Sequence, residues 1–443
     1  MLGRSTPTNF GRPLLRTSYE QDAAMLPTWF QKIGFGLFLF ALILATLDIP
    51  PFSSIPAFFL GASWINPMTN MMPLAIAALG FTILVGVTGQ VSIGHAFFMG
   101  VGAYTAVALG GNGDGLKACV PFHDNIGLLD EASQCGLGLP MWVWLPAAGV
   151  VATLVGMIVS PAAVRVRGLY LALATLGLVF IGLHLGRMLP EYAGDFESGR
   201  KWPKLEFKFW KEETPLVDMN EDGKWFGFLN LTEEQKQLLF LMSLVLIFGI
   251  LAKNIIRSRT GRALQAIRDR DIAAEVMGVP EFKYKLIGFA ISSFYAGIGG
   301  ALFASYNGRV APVQWSLLLS VDFIAILLIG GAGTILGTAL GTVFVELTPE
   351  VVKQFTEWLS EQVGDGASPV TVISNFLLSE VPGQDFGPIS LSPSSPGWPM
   401  SVFLWNFVIF GLLIIIFMIF EPLGLFGIWL RFKNYWKRWP FSY

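Results

Sequence analysis

Long apolar runs recur along this chain, and a membrane is the environment they demand. Eight are clear: Ile33–Ile49, Pro67–Val87, Ala96–Gly111, Pro140–Ala163, Leu169–Leu189, Gln237–Ile256, Tyr284–Tyr306 and Met400–Phe420. Each approaches the roughly 20 residues that a helix needs to cross a bilayer. Two shorter runs, Leu318–Ile329 and Thr334–Thr348, flank the turn Gly330-Gly331-Ala332-Gly333. The expectation is an all-α fold: a polytopic transmembrane helical bundle of about ten spans, with glycine-rich interrupted helices in two repeated halves.

Composition agrees. Only 14% of the residues are charged, against about 25% in ordinary soluble domains. A soluble fold of this length would need surface charge that the chain lacks. The net charge of −2 gives no reason to expect a nucleic-acid partner. Residues 1–32 are polar and carry no small-residue cleavage site ahead of the first apolar run, so a cleaved signal peptide is not expected.

Loop charge orients the spans, because short cytoplasmic loops collect Lys and Arg. Eight basic residues lie between Lys253 and Lys285. Arg165 and Arg167 share another short turn, Arg431, Lys433, Lys437 and Arg438 follow the last run, and Arg4, Arg12, Arg16 and Lys32 precede the first. Ten spans put all four groups on one side, with both termini cytoplasmic. The expected organisation is a cytoplasmic arm (1–32), a transmembrane domain (33–430) and a cytoplasmic tail (431–443). Outer loops fall at 112–139, 190–236 and 349–399, and a cytoplasmic loop at 257–283. Cys119 and Cys135 share the first outer loop, where oxidising conditions permit a disulfide; free thiols are the alternative. No metal site is expected. The paired cysteine spacing is absent, and histidines at 95, 123 and 184 form no ligand set.

Two glycine-dense hairpins recur. One is Gly86-Val-Thr-Gly-Gln-Val-Ser-Ile-Gly-His95, followed by Gly100 and Gly102. The other is Gly330-Gly-Ala-Gly-Thr-Ile-Leu-Gly337, followed by Gly341. Interrupted apolar segments at corresponding places in two halves point to a translocation path, although glycines also serve close helix packing. Candidate path residues are Gly89, Gln90, Ser92, His95, Asp322, Gly330 and Gly333. Gln90, Ser92 and His95 either line a wet pathway or satisfy backbone groups freed by the glycines. Asp322 reads as an N-cap of a short helix, with a pathway role as the alternative.

The loop Thr260 to Pro280 reads as two short helices, capped by Thr260 and Asp271. Gly278 is placed to end the second in the left-handed region, with Pro280 as a stop. A basic helical loop of this kind can anchor to anionic lipid. Its Ala-Ala-x-x-x-Gly segment also resembles the signature of the importer permeases driven by ATP-binding cassettes.

The wider chain resembles the M-type permeases of branched-chain amino acid importers. The resemblance rests on Gly-Val-Thr-Gly-Gln-Val-Ser-Ile-Gly-His-Ala (86–96), Gly-Arg-Ala-Leu-Gln-Ala-Ile-Arg-Asp (261–269), Ala-Ala-Glu-Val-Met-Gly-Val (273–279), Leu-Ile-Gly-Gly-Ala-Gly-Thr-Ile-Leu-Gly (328–337), Glu-Pro-Leu-Gly-Leu (421–425) and Trp-Pro-Phe-Ser-Tyr (439–443). It implies an H-type partner permease, two cytoplasmic ATPases, an extracytoplasmic binding protein and a place in a bacterial inner membrane. No cofactor is expected on this chain, since ATP belongs to the partner ATPases and no G-x-x-x-x-G-K-[ST] loop is present. Gly261, Arg262, Ala266, Arg268, Ala273, Ala274 and Gly278 are the candidate ATPase-coupling residues. In this reading the alanines and Gly278 allow close approach of the ATPase, and Arg262 and Arg268 bond across to it. Ile272 departs from the general motif, which carries Glu there. Relatives of this type serve branched-chain amino acids, short amides or urea. An ion-driven secondary transporter is the rival from another class; it would not need a docking loop of this sequence. A passive channel lacks a recognisable filter here.

Overall fold

The computed structural model describes residues 29–47, 53, 56–57, 64–110, 136–165, 168–201, 229–361, 400–421 and 423–438, with short stretches at 206–207, 217–219, 222–225, 378–379 and 389–390. Cys119 and Cys135, the arm up to residue 28 and the end of the tail lie outside the described residues.

Among the described residues the chain is helical, with strands no longer than three residues. In order these are α1 (Trp29–Thr46), α2 (Ile65–Phe81, prolonged by a π-helical turn, Thr82–Val87), α3 (His95–Leu109), α4 (Met141–Arg165), α5 (Leu169–Met188) and α6 (Pro190–Ala193). There follow α7 (Glu233–Arg257), α8 (Arg259–Asp269), α9 (Asp271–Val276), α10 (Glu281–Asn307), α11 (Leu317–Gly330), α12 (Ile335–Glu361), α13 (Val402–Phe420) and α14 (Gly424–Arg438). Six helices are long and apolar enough to cross a membrane: α2 with its π turn, α4, α5, α7, α10 and α12. α3 and α11 are shorter apolar helices, and α1 and α13 are apolar over 18 and 19 residues. The chain is an all-α polytopic membrane protein.

Burial sorts the helices into two shells. α2 is almost wholly buried and α10 mostly so, whereas α4, α5, α7 and α12 turn large apolar side chains such as Ile158, Leu173, Ile250 and Val343 outward. Lipid makes that exposure cheap. It also removes the usual drive for burying such side chains, so close packing has to hold the centre. α10 shows how this is done. It packs on α2, α3 and α4, and a Cβ on its Gly297 would sit 2.6 Å from Cβ of Ala152 and 2.7 Å from the Ala148 carbonyl oxygen. Only a residue without a side chain lets α4 approach that far.

Three boundaries differ from the sequence expectation. α12 continues through Pro349 to Glu361, so the stretch from 349 is not all loop. Its apolar spacing survives the proline: Val351, Phe355 and Trp358 recur at helical intervals, and the last two rings stack 6.0 Å apart. The second short run is therefore a full-length helix, while α11, 14 residues long, stays short at about 21 Å. α7 begins at Glu233, inside the expected outer loop, because Thr232 and Gln235 form a capping box there. The expected tail from residue 431 is part of α14, whose Arg431 pairs with Glu421.

On the face opposite the basic loop, β1 (Arg200–Lys201) pairs antiparallel with β2 (Arg309–Val310). This ties the segment after α5 to the end of α10. The turn before β1 is closed by Asp195, whose carboxylate accepts from the Ser198 amide at 3.1 Å, the Ser198 hydroxyl at 2.9 Å and the Glu197 amide at 3.2 Å. Those donors hold the Asp195 pKa below the usual carboxylate value.

Candidate functional site at the glycine turns and the basic loop

The two glycine hairpins, far apart in sequence, meet in space. α2 ends in a π-helical turn in which the Thr88 amide reaches back five residues to the Ile83 carbonyl, at 3.1 Å. Such turns widen a helix and alter which carbonyls it presents. Gly86 lies in this turn and abuts Gly333 of the second hairpin: a Cβ on Gly86 would stand 2.7 Å from the Gly333 Cα. One helical turn away on each side, Thr82 Oγ1 and Thr338 Oγ1 lie 2.5 Å apart and are buried. Both hydroxyls also face carbonyls of their own helices, Ala78 and Thr334, each at 2.9 Å. Each hydroxyl has one proton, so the pair shares its donors between the bridge and the helices.

The basic loop reaches this junction directly. Nη1 of Arg268 donates to the Gly86 carbonyl oxygen. Its aliphatic stem covers Gly89, where φ is 75°. Arg262 Nη1 donates to the Arg257 carbonyl at 2.9 Å, placing a cation at the C-terminus of α7. Both arginines bond their own chain through these contacts, and both residues remain exposed. The reason is helical phase. α8 is amphipathic, with Gly261, Ala263, Leu264 and Ile267 buried and Ala266 exposed, and Arg268, next to Ile267, borders the buried face.

Capping also differs in detail. Ser258, not Thr260, caps α8, its Oγ accepting from the Gly261 amide at 3.2 Å. α9 starts at Asp271, whose Oδ1 accepts from Ile272 N at 2.9 Å. Gly278 ends it with φ 85°, in the left-handed region that the sequence suggested. Ala274 is buried against its own chain, while Ala273 is exposed. The outer surface of α9 is instead Ile272, Val276 and Met277, exposed by 70%, 82% and 83%. These three escaped the sequence reading, although Ile272 and Val276 are four residues apart on one helix face, with Met277 following at the helix end.

The candidate path residues have separate environments. His95 is 1% exposed, with Nε2 2.9 Å from the Ala77 carbonyl and its ring 5.1 Å from Phe81 and 4.9 Å from Phe323. A carbonyl only accepts, so Nε2 carries a proton, and the residue fastens α3 to α2. Ser92 Oγ accepts from the Gly94 amide at 3.3 Å. Gln90 is buried, yet neither amide atom has a hydrogen-bond partner. Asp322 is not an N-cap: α11 starts at Leu317 after Ser316, leaving Asp322 in its second turn. Ser320 accepts from the Ala96 amide at 3.2 Å and so caps α3 instead. Asp322 is half-buried and within electrostatic reach of Glu346 on α12. Glu346 was also missed, although an acid inside an apolar run is itself a signal. Gly330 packs its Cα against α12 at Gly337 and Gly341. Among the described residues, no group of three or more potential ligands could hold a metal ion.

Comparison with known proteins places this architecture. Residues 63–418 match the model of a family described as the permease component of branched-chain amino acid transport systems. The chain is 27% identical over 341 residues to the high-affinity branched-chain amino acid permease protein LivM of Salmonella typhimurium and of Escherichia coli, covering 74% of this chain and 71% of each relative. It is 33% identical over 145 residues to the autoinducer 2 import permease LsrC of Photorhabdus laumondii, covering 29% of this chain and 43% of the relative. No solved structure matches. The glycine hairpins, the basic helical loop and the span of the match lead to one statement: this chain belongs to the family of permease components of branched-chain amino acid transport systems.

Proposed function

We propose that the chain is the M-type membrane-spanning subunit of an ATP-driven importer that carries leucine, isoleucine and valine across a bacterial cytoplasmic membrane. The observation that carries the reading is the path from α9 to the glycine junction. An apolar face on α9 stands exposed beyond the bundle, and three residues before that helix Arg268 grips the Gly86 carbonyl. A partner that seats on Ile272, Val276 and Met277 and moves would move Arg268, and with it the contact between the two glycine turns.

In this reading the basic loop faces the cytoplasm together with both termini, and residues 33–430 form the transport domain. ATP is bound by two partner ATPases and no cofactor by this chain. An H-type permease completes the membrane pathway, and an extracytoplasmic binding protein delivers the amino acid. Residues 261–278 form the coupling element, with the revision that its contact surface is apolar and its arginines act within the chain. Ser92 and Asp322 remain the residues assigned to the path, with His95 as its structural clamp.

The deciding experiment is uptake of labelled leucine into proteoliposomes holding the whole complex, with ATP supplied to the ATPase side. Uptake that needs ATP and binding protein, and persists when ion gradients are collapsed, supports the reading. Uptake that follows an ion gradient and ignores ATP refutes it.

A further inference from the structure

A cavity of about 240 Å³ lies on the face of the basic loop, among four elements: the first glycine turn, the start of α5, the α8–α9 corner and α10. That volume falls just below the roughly 300–1,000 Å³ of typical small-molecule sites, which suits a guest of amino-acid size. Its wall has three chemistries. Arg268, Arg270 and Lys285, the last paired with Glu281, supply positive charge, Asp269 and Asp271 supply negative charge, and Leu171 and Ile267 are apolar. A simple anion would meet the carboxylates and a simple cation the arginines and lysine. A zwitterion with an apolar side chain has a counterpart for each of its parts.

Gln90 gives the second, independent indication. It lines the same cavity, is 3% exposed, and has no partner for its Nε2 or its Oε1. A buried amide left unmatched is destabilising, because its desolvation is not offset by a hydrogen bond. Its Oε1 can accept from an ammonium and its Nε2 can donate to a carboxylate on one guest.

We infer that this cavity is a regulatory site for an apolar amino acid that has accumulated on the side of the basic loop. The choice of amino acid rests on the proposed function. A guest there touches the glycine turn and the α8–α9 corner together, so it holds the junction in the arrangement seen here. It slows turnover to the extent that it binds this arrangement better than others.

The test uses the assembled complex with its ATPases in nanodiscs, without binding protein, and radiolabelled leucine as probe. We expect saturable binding in the wild type, weakened about tenfold or more in Gln90→Leu and in Arg270→Ala. We also expect Gln90→Leu to raise the melting temperature without leucine, since it removes an unmatched amide, while abolishing the rise that leucine causes in the wild type. With binding protein added and already saturated, further leucine should lower ATP hydrolysis in the wild type and leave both variants unaffected. Absence of saturable binding, binding at wild-type strength in both variants, or hydrolysis indifferent to leucine overturns the inference. Failure of ATP-driven leucine uptake while binding remains would instead overturn the proposed cargo and leave the site standing.

Discussion

The guanidinium of Arg268 and the carbonyl of Gly86, 182 positions apart in the chain, form the hydrogen bond that joins the basic loop to the glycine junction. Hydrogen bonds to charged groups contribute about 1.5–3 kcal/mol, and this one sits where loop movement would have to be passed on. Arg268→Ala is expected to leave the protein inserted and the ATPases attached, yet to lower leucine moved per ATP hydrolysed severalfold. Arg268→Lys should rescue part of the loss. Parallel measurement of uptake and hydrolysis reads the ratio; an unchanged ratio in Arg268→Ala removes the residue from the coupling path.

Gly86 and Gly333 leave no room for a methyl group between them. Gly86→Ala should lower the melting temperature and the yield of monodisperse protein, since overpacking costs about 1–3 kcal/mol. Gly249→Ala is the control. That position in α7 has nothing within 4 Å of an added Cβ, and alanine favours helix over glycine by about 1 kcal/mol. It should be neutral or mildly stabilising by the same thermal assay.

The Thr82–Thr338 pair lends itself to a double-mutant cycle. Each valine replacement is expected to destabilise, and the two together by less than their sum. The interaction should be about 0.6 kcal/mol, the average for hydrogen bonds between membrane helices. Strict additivity in unfolding measurements would show that the 2.5 Å approach carries no energy of its own.

Docking should depend on Ile272, Val276 and Met277 and tolerate change at Arg262. Met277→Asp or Val276→Asp is expected to abolish co-purification of the ATPase while leaving the melting temperature within about 1 °C, as surface changes rarely alter stability by more than about 0.5 kcal/mol. Ala274→Trp should behave oppositely and lower stability, because Ala274 is buried in its own chain. ATPase capture at wild-type level by both aspartate variants would displace the docking surface from α9.

Orientation is checked with single cysteines in a background lacking Cys119 and Cys135. Met277→Cys and Glu197→Cys, both exposed, should react with an impermeant reagent from opposite sides. Labelling of both from outside intact cells would contradict the assignment of the basic loop to the cytoplasm.

Much of this was legible in the sequence, and the misses share a physical cause. Apolar runs report burial in lipid, so α2, α5 and α10 were found within a few residues. The short apolar run stops at Thr348, yet the helix continues through Pro349 to Glu361, since a helix tolerates the loss of one hydrogen bond when its apolar spacing continues. Gly86 and Gly330–Gly333 were visible as motifs, but their mutual contact is a tertiary fact that spacing cannot report. For Arg262 and Arg268, residue type suggests a partner-facing role, and their hydrogen bonds to the Arg257 and Gly86 carbonyls are tertiary facts that residue type does not report. His95 and Gln90 stand five residues apart with the same ambiguous sequence signal; one found a carbonyl and two aromatic rings, the other found nothing.

α10 starts three residues after Gly278, at the corner where α8 and α9 pack against it, and ends beside the Arg200–Val310 strand pairing on the far face. Its 27 residues make a strut about 40 Å long, without an internal proline and clamped through its middle by α2, α3 and α4. A rod held in this way cannot tilt at one end and stay still at the other. Displacement at the basic-loop end of this helix therefore reaches the Arg200–Val310 pairing along one piece of backbone, in either direction, with no relay between.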